Sequence, residues 1–88
     1  MKKMTFDEFQ WCYLRAIYSG VDMQCVWWND EGDQVIMNWH PYTAELHENL
    51  AWEADGTNLT MEEVMDAYED VLLESAQTAY EEYLERCE

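Results

Sequence analysis

The chain has 88 residues, with twenty acidic side chains against four basic ones and a net charge of −16. A chain of this length is enough for one domain, so we expect a single acidic domain over residues 1–88. The charge argues against direct binding to nucleic acid, which needs basic side chains beside the phosphates, and against binding to anionic membranes. It does not indicate disorder, because 49% of the residues are hydrophobic.

The sequence carries no recognisable targeting signal, and we expect a cytoplasmic protein. Acidic residues at positions 7 and 8 interrupt the apolar stretch that a signal peptide needs after Lys2 and Lys3. No apolar run approaches the ~18 residues of a transmembrane helix. An odd number of cysteines is typical of free thiols in a reducing compartment rather than of a disulfide framework. The cysteines are Cys12, Cys25 and Cys87.

The first predicted element is a helix from Thr5 to about Ser19. Thr5 and Glu8 match a capping box, in which each side chain accepts a hydrogen bond from the other residue's backbone amide. Gly20 is a typical residue just beyond a helix end. Helical spacing predicts two neighbouring apolar stripes, which together give a wide buried face. The stripes are Phe6, Phe9, Tyr13, Ile17 and Trp11, Leu14, Tyr18.

The second predicted element is a two-stranded β-hairpin over about residues 23–39. Segments 25–28 and 34–39 are rich in β-branched and aromatic residues, and the polar segment 29–33 between them is typical of a turn. In the second strand, alternation places Val35, Met37 and Trp39 on one face. We expect that face to pack on helices, because a two-stranded hairpin alone is marginally stable.

Two further helices are predicted in the remainder of the chain. The first starts at His40-Pro41, since proline is favoured in the first turn of a helix, and ends at Asp55-Gly56. The second starts with a capping box at Thr60 and runs as one helix from Met61 to Arg86. The predicted fold class is α+β, in the order α-β-β-α-α. The expected buried stripe of the last helix comprises Met61, Val64, Tyr68, Val71, Leu72, Ala76, Ala79 and Tyr83.

The negative charge is concentrated in the second half of the chain. Residues 1–40 hold six acids and three bases, whereas residues 41–88 hold fourteen acids and one base, Arg86. Acids of the last predicted helix recur at steps of three, four or seven, which places them on one helical face. Glu45, Glu48 and Glu53 add a second group on the preceding helix. The row on the last helix comprises Glu63, Asp66, Asp70, Glu74, Glu81, Glu85 and Glu88.

Two interpretations of this row remain open. It is either a solvated surface that keeps the protein soluble, including under halophilic conditions, or a row of carboxylates that imitates nucleic-acid phosphates. An ordinary helix surface relieves repulsion between acids four residues apart with interspersed lysine or arginine. The row has no base before Arg86, which favours the second interpretation.

The five tryptophans also allow two interpretations. They fill a small aromatic core, or one of them anchors an interface, since tryptophan is enriched among residues that dominate binding energy. Trp27 and Trp28 are adjacent on a strand, so their side chains point to opposite faces. Trp52 lies between Glu48 and Glu53, and we include it among the candidate partner-binding residues.

Catalysis, cofactor binding and metal binding are not predicted. His47 is not followed by a second histidine at zincin spacing, and we expect it on a helix surface, with His40 at the corner between strand and helix. The three glycines are scattered and form no phosphate loop. The acidic turn at residues 30–33 lacks the ligand spacing of an EF-hand, although a weak divalent-cation site there remains an alternative to a simple turn.

The size, acidity and carboxylate row resemble small acidic anti-defence proteins of phages and mobile elements, namely anti-CRISPR and anti-restriction DNA mimics. The carboxylates that carry the resemblance are Glu63, Asp66, Asp70, Glu74, Glu81 and Glu85. The resemblance implies a non-enzymatic inhibitor, monomeric or dimeric, that occupies the basic groove of a nucleic-acid-binding protein such as a Cas effector or restriction enzyme. The alternative is an adaptor or homodimer that uses an exposed Trp and Met surface, with the acids serving solubility.

Overall fold

The computed structural model describes residues 1–87, which form an α+β domain with four helices and a three-stranded antiparallel sheet. The fold class agrees with the sequence prediction. The structure has three strands and four helices, whereas the sequence predicts two strands and three helices. The elements are β1 (Lys2–Lys3), α1 (Phe6–Ser19), β2 (Val26–Trp28), β3 (Gln34–Ile36), α2 (Thr43–Thr57), α3 (Met61–Ala67) and α4 (Glu69–Arg86).

Helix α1 has the predicted bounds and caps. Thr5 and Glu8 form both hydrogen bonds of the capping box, and Gly20 ends the helix with a left-handed φ of 75°. Of the two predicted stripes, only the one that contains Phe9 and Ile17 forms the buried face. The prediction of a second buried stripe holds only for Leu14, which is half-buried against the core, whereas Trp11 is 61% and Tyr18 55% exposed.

The predicted hairpin is present as β2 and β3, with strands shorter than predicted. Asn29 organises the turn, since its side-chain oxygen accepts hydrogen bonds from the amides of Glu31 at 3.1 Å and Asp33 at 2.8 Å. The alternation in β3 is also confirmed, with Val35 half-buried and Ile36 exposed. The turn at residues 29–33 is thus stabilised by hydrogen bonds within the protein itself.

A third strand, β1, pairs antiparallel with β2 and was not predicted. Lys2 lies opposite Trp28, and Lys3 lies opposite Trp27. Two tyrosines of α4 hold the residue that follows the strand. The Met4 amide donates to the Tyr83 hydroxyl at 2.7 Å, and the Met4 carbonyl accepts from the Tyr80 hydroxyl at 2.8 Å.

Helix α2 begins at Thr43 rather than at His40-Pro41, which corrects the predicted start. The reason is a tertiary contact: the buried Thr43 hydroxyl accepts from the Met23 amide at 2.8 Å and donates to the Val21 carbonyl at 2.7 Å. The predicted end at Gly56 is also wrong. The helix runs through Gly56 to Thr57, and Asn58 ends it with a left-handed φ of 61°.

The predicted single helix over residues 61–86 is divided at Tyr68. Its capping box is confirmed, with Thr60 and Glu63 bonded reciprocally. At Tyr68 the backbone takes φ −105° and ψ 19°, outside the helical region, and separates α3 from α4. Of the stripe predicted to be buried, Val64, Leu72, Ala76, Ala79 and Tyr83 are buried. Tyr68 and Val71, both also predicted to be buried, are exposed.

The core lies around α1, which packs against α2, α3 and α4. Phe9, Ile17 and Tyr83 are completely buried, and the Phe9 ring lies 5.4 Å from that of Tyr83. The domain measures 49 × 20 × 16 Å, so it is elongated and has a large surface for its size. The acidic residues of α2, α3 and α4 are therefore distributed over an elongated domain.

Candidate functional site

The candidate acidic residues are all exposed on the helices of the second half of the chain. We use the term acidic face for this set. It comprises Glu45 and Glu48 on α2, Glu63 and Asp66 on α3, and Asp70, Glu74, Glu81 and Glu85 on α4. Glu88 lies outside the described residues. The division at Tyr68 means that the row follows two consecutive helices instead of one straight axis.

None of the acidic face residues forms an ion pair within the described chain, residues 1–87. The two ion pairs there join the amino terminus to Asp30 at 2.9 Å and His40 to Asp22 at 3.8 Å, both involving acids of the first half. The carboxylates of α2, α3 and α4 therefore present their charge to solvent without a basic partner.

Three of the four basic side chains lie over tryptophan rings. Arg15 is 5.0 Å from the centre of the Trp11 ring, and Lys2 is 5.5 Å from that of Trp28. Arg86, the one base of the second half, is 5.0 Å from the Trp39 ring. These cation–π contacts hold the bases on aromatic surface, which helps to explain why the acidic face is not neutralised.

Glu63 differs from the other acids of the face because it has a structural role. Its carboxylate accepts a hydrogen bond from the Thr60 amide at 3.0 Å and closes the capping box of α3. Hydrogen bonds with the backbone and side chain of Thr60 lower the pKa of Glu63. A substitution at Glu63 therefore perturbs the start of α3 as well as the charge of the face.

A groove of about 550 Å³ lies between α2 and α4, with Tyr13 of α1 in its lining. We call it the α2–α4 groove. Its apolar lining includes Trp39, Leu46 and Val71. Glu45 of α2 borders it on one side, and two carboxylates of α4 border it on the other; the α4 pair is Glu74 and Glu82.

Sequence reasoning did not identify this groove. Val71, which the helical spacing predicts to be buried, is 57% exposed beside the groove, and Glu82 is not among the predicted partner-binding residues. The missing information was the separation of α2 from α4, since a stripe pattern shows which side of a helix is apolar and not what covers it. Tyr13 was correctly placed on the buried face of α1, where burial raises the pKa of its hydroxyl.

Trp52 is the most exposed large apolar side chain of the described chain, at 81%. It lies three residues beyond Asn49, which lines the α2–α4 groove, so the two occupy neighbouring turns of α2. The interpretation of the tryptophans as core is wrong for Trp11 and Trp52, and the other three are half-buried. Phe9, Tyr13 and Tyr83 are the buried aromatic residues.

His47 is a structural contact and not the surface residue predicted. Its Nδ1 lies 2.7 Å from the Ile17 carbonyl oxygen, so this nitrogen carries the proton and donates to the last turn of α1. The ring also packs against Gly20. Residues 1–87 contain no group of three His, Cys, Asp or Glu side chains arranged to hold a metal ion. His40 is exposed at the predicted corner.

The comparisons with known proteins identify no relative: no family model, curated protein or solved structure matches the chain. Within residues 1–87, no helix combines the length and apolar character that crossing a membrane requires. Function is therefore inferred from the chemistry of the acidic face and of the groove beside it.

Proposed function

We propose that the chain is a non-enzymatic inhibitor that binds the basic nucleic-acid groove of a protein partner by imitating nucleic acid. The observation that carries the proposal is the acidic face, exposed and without ion pairs among residues 1–87. The proposed partners are nucleic-acid-handling defence proteins, such as a CRISPR–Cas effector or a restriction enzyme, and the proposed site of action is the bacterial cytoplasm.

The spacing of the charges supports this proposal. Asp70 and Glu74 are four residues apart on α4, which corresponds to ~6 Å along a helix axis at 1.5 Å per residue. A nucleic-acid strand also carries regularly repeated charges a few ångströms apart, and proteins bind it with lysine and arginine that displace counterions. A groove built for phosphates would accept such a carboxylate row by the same exchange of counterions.

Charge recognition fits the arrangement better than catalysis does. The carboxylates spread over three helices of a body 49 Å long instead of converging on one point. Catalytic carboxylates normally require a cleft that holds them beside the substrate and adjusts their pKa values. The acidic face residues are all exposed.

The test is displacement of labelled duplex DNA from a panel of purified restriction enzymes and Cas effectors, followed by fluorescence anisotropy. We expect the chain to release DNA from at least one member, with an apparent affinity that weakens steeply as salt rises. Failure to displace DNA from any member at low salt, or a displacement insensitive to salt, would contradict the proposal.

A matched pair of variants tests whether the face, and not total charge, is responsible. Asp66→Lys with Asp70→Lys reverses two acids of the face, and Glu31→Lys with Asp33→Lys reverses two exposed acids of the hairpin turn. Only the first variant should lose inhibition. Glu63 is left unchanged because it caps α3. Equal losses in both variants would indicate a nonspecific effect of charge.

An alternative function, a homodimer or adaptor, is favoured by a second surface. Trp11, Tyr18 and Val21 are exposed along α1 and the segment after it, on the half of the chain with few acids. A second copy would meet less repulsion here than at the acidic face. Light scattering after size-exclusion chromatography would detect a dimer, and a monomer at all concentrations and salt levels would dismiss the homodimer.

A further inference from the structure

The α2–α4 groove combines apolar lining with acidic borders in a way that indicates the chemistry of its occupant. Glu45, Glu74 and Glu82 border it from two helices and are exposed. Within residues 1–87 no three acidic side chains are placed closely enough to hold a metal ion. The three carboxylates place negative charge on both sides of the groove, which suits an occupant that carries positive charge.

The apolar lining provides a second requirement for the occupant. Val71 is 57% exposed and Tyr42 is 68% exposed, and both line the groove together with Leu46. Its volume of about 550 Å³ lies within the ~300–1,000 Å³ typical of binding clefts. An occupant that matches both the lining and the borders must carry apolar surface beside positive charge.

Arginine fits this combination better than lysine does. A guanidinium is planar, is weakly hydrated for a cation, bonds carboxylates through two parallel donors and stacks on aromatic rings. The protein itself provides an example of such stacking, since Arg86 lies 5.0 Å from the centre of the Trp39 ring. Trp39 also lines the groove.

We propose that the α2–α4 groove binds a segment of the protein partner in which arginine alternates with apolar side chains. The guanidinium groups bond the carboxylates of Glu45, Glu74 and Glu82, and the apolar side chains contact Leu46 and Val71. The proposal rests on the proposed function, and it adds that the acidic face has a specific pocket for arginine. Long-range charge then brings the partner to the face, while the groove determines which segment remains bound.

The test uses a short amidated peptide of alternating arginine and leucine as the probe, with affinity measured by isothermal titration calorimetry. One triple variant changes the groove carboxylates Glu45, Glu74 and Glu82 to glutamine. Its matched control changes three exposed carboxylates on the same two helices that do not line the groove and loses the same charge. The control substitutions are Glu48→Gln, Asp70→Asn and Glu81→Gln.

We expect the groove triple to weaken peptide binding about tenfold, and the control triple about twofold through the screened field alone. Val71→Ser should weaken the arginine–leucine peptide but leave a matched arginine–serine peptide unchanged, because only the former uses the apolar lining. Backbone NMR shifts caused by the peptide should centre on Leu46, Val71 and Ala79.

Four results would overturn the groove proposal. The first three are equal weakening by both triple variants, NMR shifts centred on Trp52 or elsewhere outside the groove, and equal or tighter binding of a lysine–leucine peptide. Displacement of the peptide by equimolar spermidine would also overturn it, since a small polyamine would then satisfy the site. Loss of peptide binding does not depend on DNA displacement, so failure of the groove and failure of the proposed function are separate results.

Discussion

Replacing Tyr83 by phenylalanine tests the contact that joins the two ends of the chain. The Tyr83 hydroxyl accepts from the Met4 amide at 2.7 Å and donates to the Val26 carbonyl at 2.6 Å, and the side chain is completely buried. Burial raises the pKa of this hydroxyl, so it keeps its proton and remains a donor at neutral pH. Tyr83→Phe keeps the ring in the core and removes both bonds at once.

The expected loss follows from the two backbone groups left without a partner. At about 1–2 kcal/mol for the buried Met4 amide and about 1 kcal/mol for the partly buried Val26 carbonyl, Tyr83→Phe should lower the free energy of unfolding by roughly 2–3 kcal/mol. That is a large share of the stability of a small domain, which is roughly 5–10 kcal/mol. Urea unfolding followed by circular dichroism measures the loss, and amide hydrogen exchange at Met4 locates it.

Tyr80→Phe provides the matched control on the same helix. Tyr80 is half-buried and its hydroxyl makes one bond, to the Met4 carbonyl at 2.8 Å, so water can replace it and the loss should be about 1 kcal/mol or less. If Tyr83→Phe is no more destabilising than Tyr80→Phe, the two-bond role of Tyr83 is refuted. A large loss of stability in Tyr83→Phe with unchanged amide hydrogen exchange at Met4 would also contradict this role, because the destabilisation would then arise away from the Met4 bond.

Two further predictions concern the helix-end residues Gly20 and Glu63, with Gly32 of the hairpin turn as the control for Gly20. Gly20→Ala and Gly32→Ala each place alanine at positive φ, which should lower the free energy of unfolding by about 1 kcal/mol. Gly20→Ala should lower it by about 1 kcal/mol more, because the added Cβ would lie 3.0 Å from the His47 ring and disturb that ring's hydrogen bond. Equal melting temperatures of the two variants would contradict this. Glu63→Gln should lower the melting temperature at neutral pH, and the difference from wild type should vanish as pH falls below about 4.5, because Thr60 lowers the pKa of Glu63 in the folded state. A difference independent of pH between 7 and 3 would show that the charge of Glu63 contributes nothing.

The acidic face and the cation–π contacts belong to the same electrostatic arrangement. A chain with few bases can use them to neutralise acids or to cover aromatic rings. Here Lys2, Arg15 and Arg86 lie over tryptophan rings. The resulting charge imbalance destabilises a compact state through self-repulsion, and an inhibitor that binds basic grooves would benefit from the same imbalance.

Features encoded by neighbouring residues were predictable from the sequence. Both capping boxes, the left-handed Gly20 and the polar turn at residues 29–33 depend on groups within a few positions of one another. The charge of the second half is likewise a property of composition. Exposure of every acidic face residue agrees with the helical spacing, because an unpaired carboxylate is too costly to bury.

Features that depend on distant residues were not predictable. Strand β1 forms because β2 supplies a neighbouring edge and Tyr80 and Tyr83 hold Met4 from α4, and no local pattern in Lys2–Lys3 indicates a strand. Helix α2 starts at Thr43 because the Thr43 side chain bonds the backbone of Val21 and Met23, which lie 22 and 20 positions earlier in the chain.

The sequence by itself determined the sign, amount and helical location of the charge, since these follow from residue type and a period of 3.6. Only the tertiary structure decided that α2 and α4 stand apart over α1, which leaves Val71 exposed and brings Glu45 toward Glu74 and Glu82. The physical reason is that a helix pattern specifies an apolar side but not the distance to the next helix, which packing of all the side chains sets together.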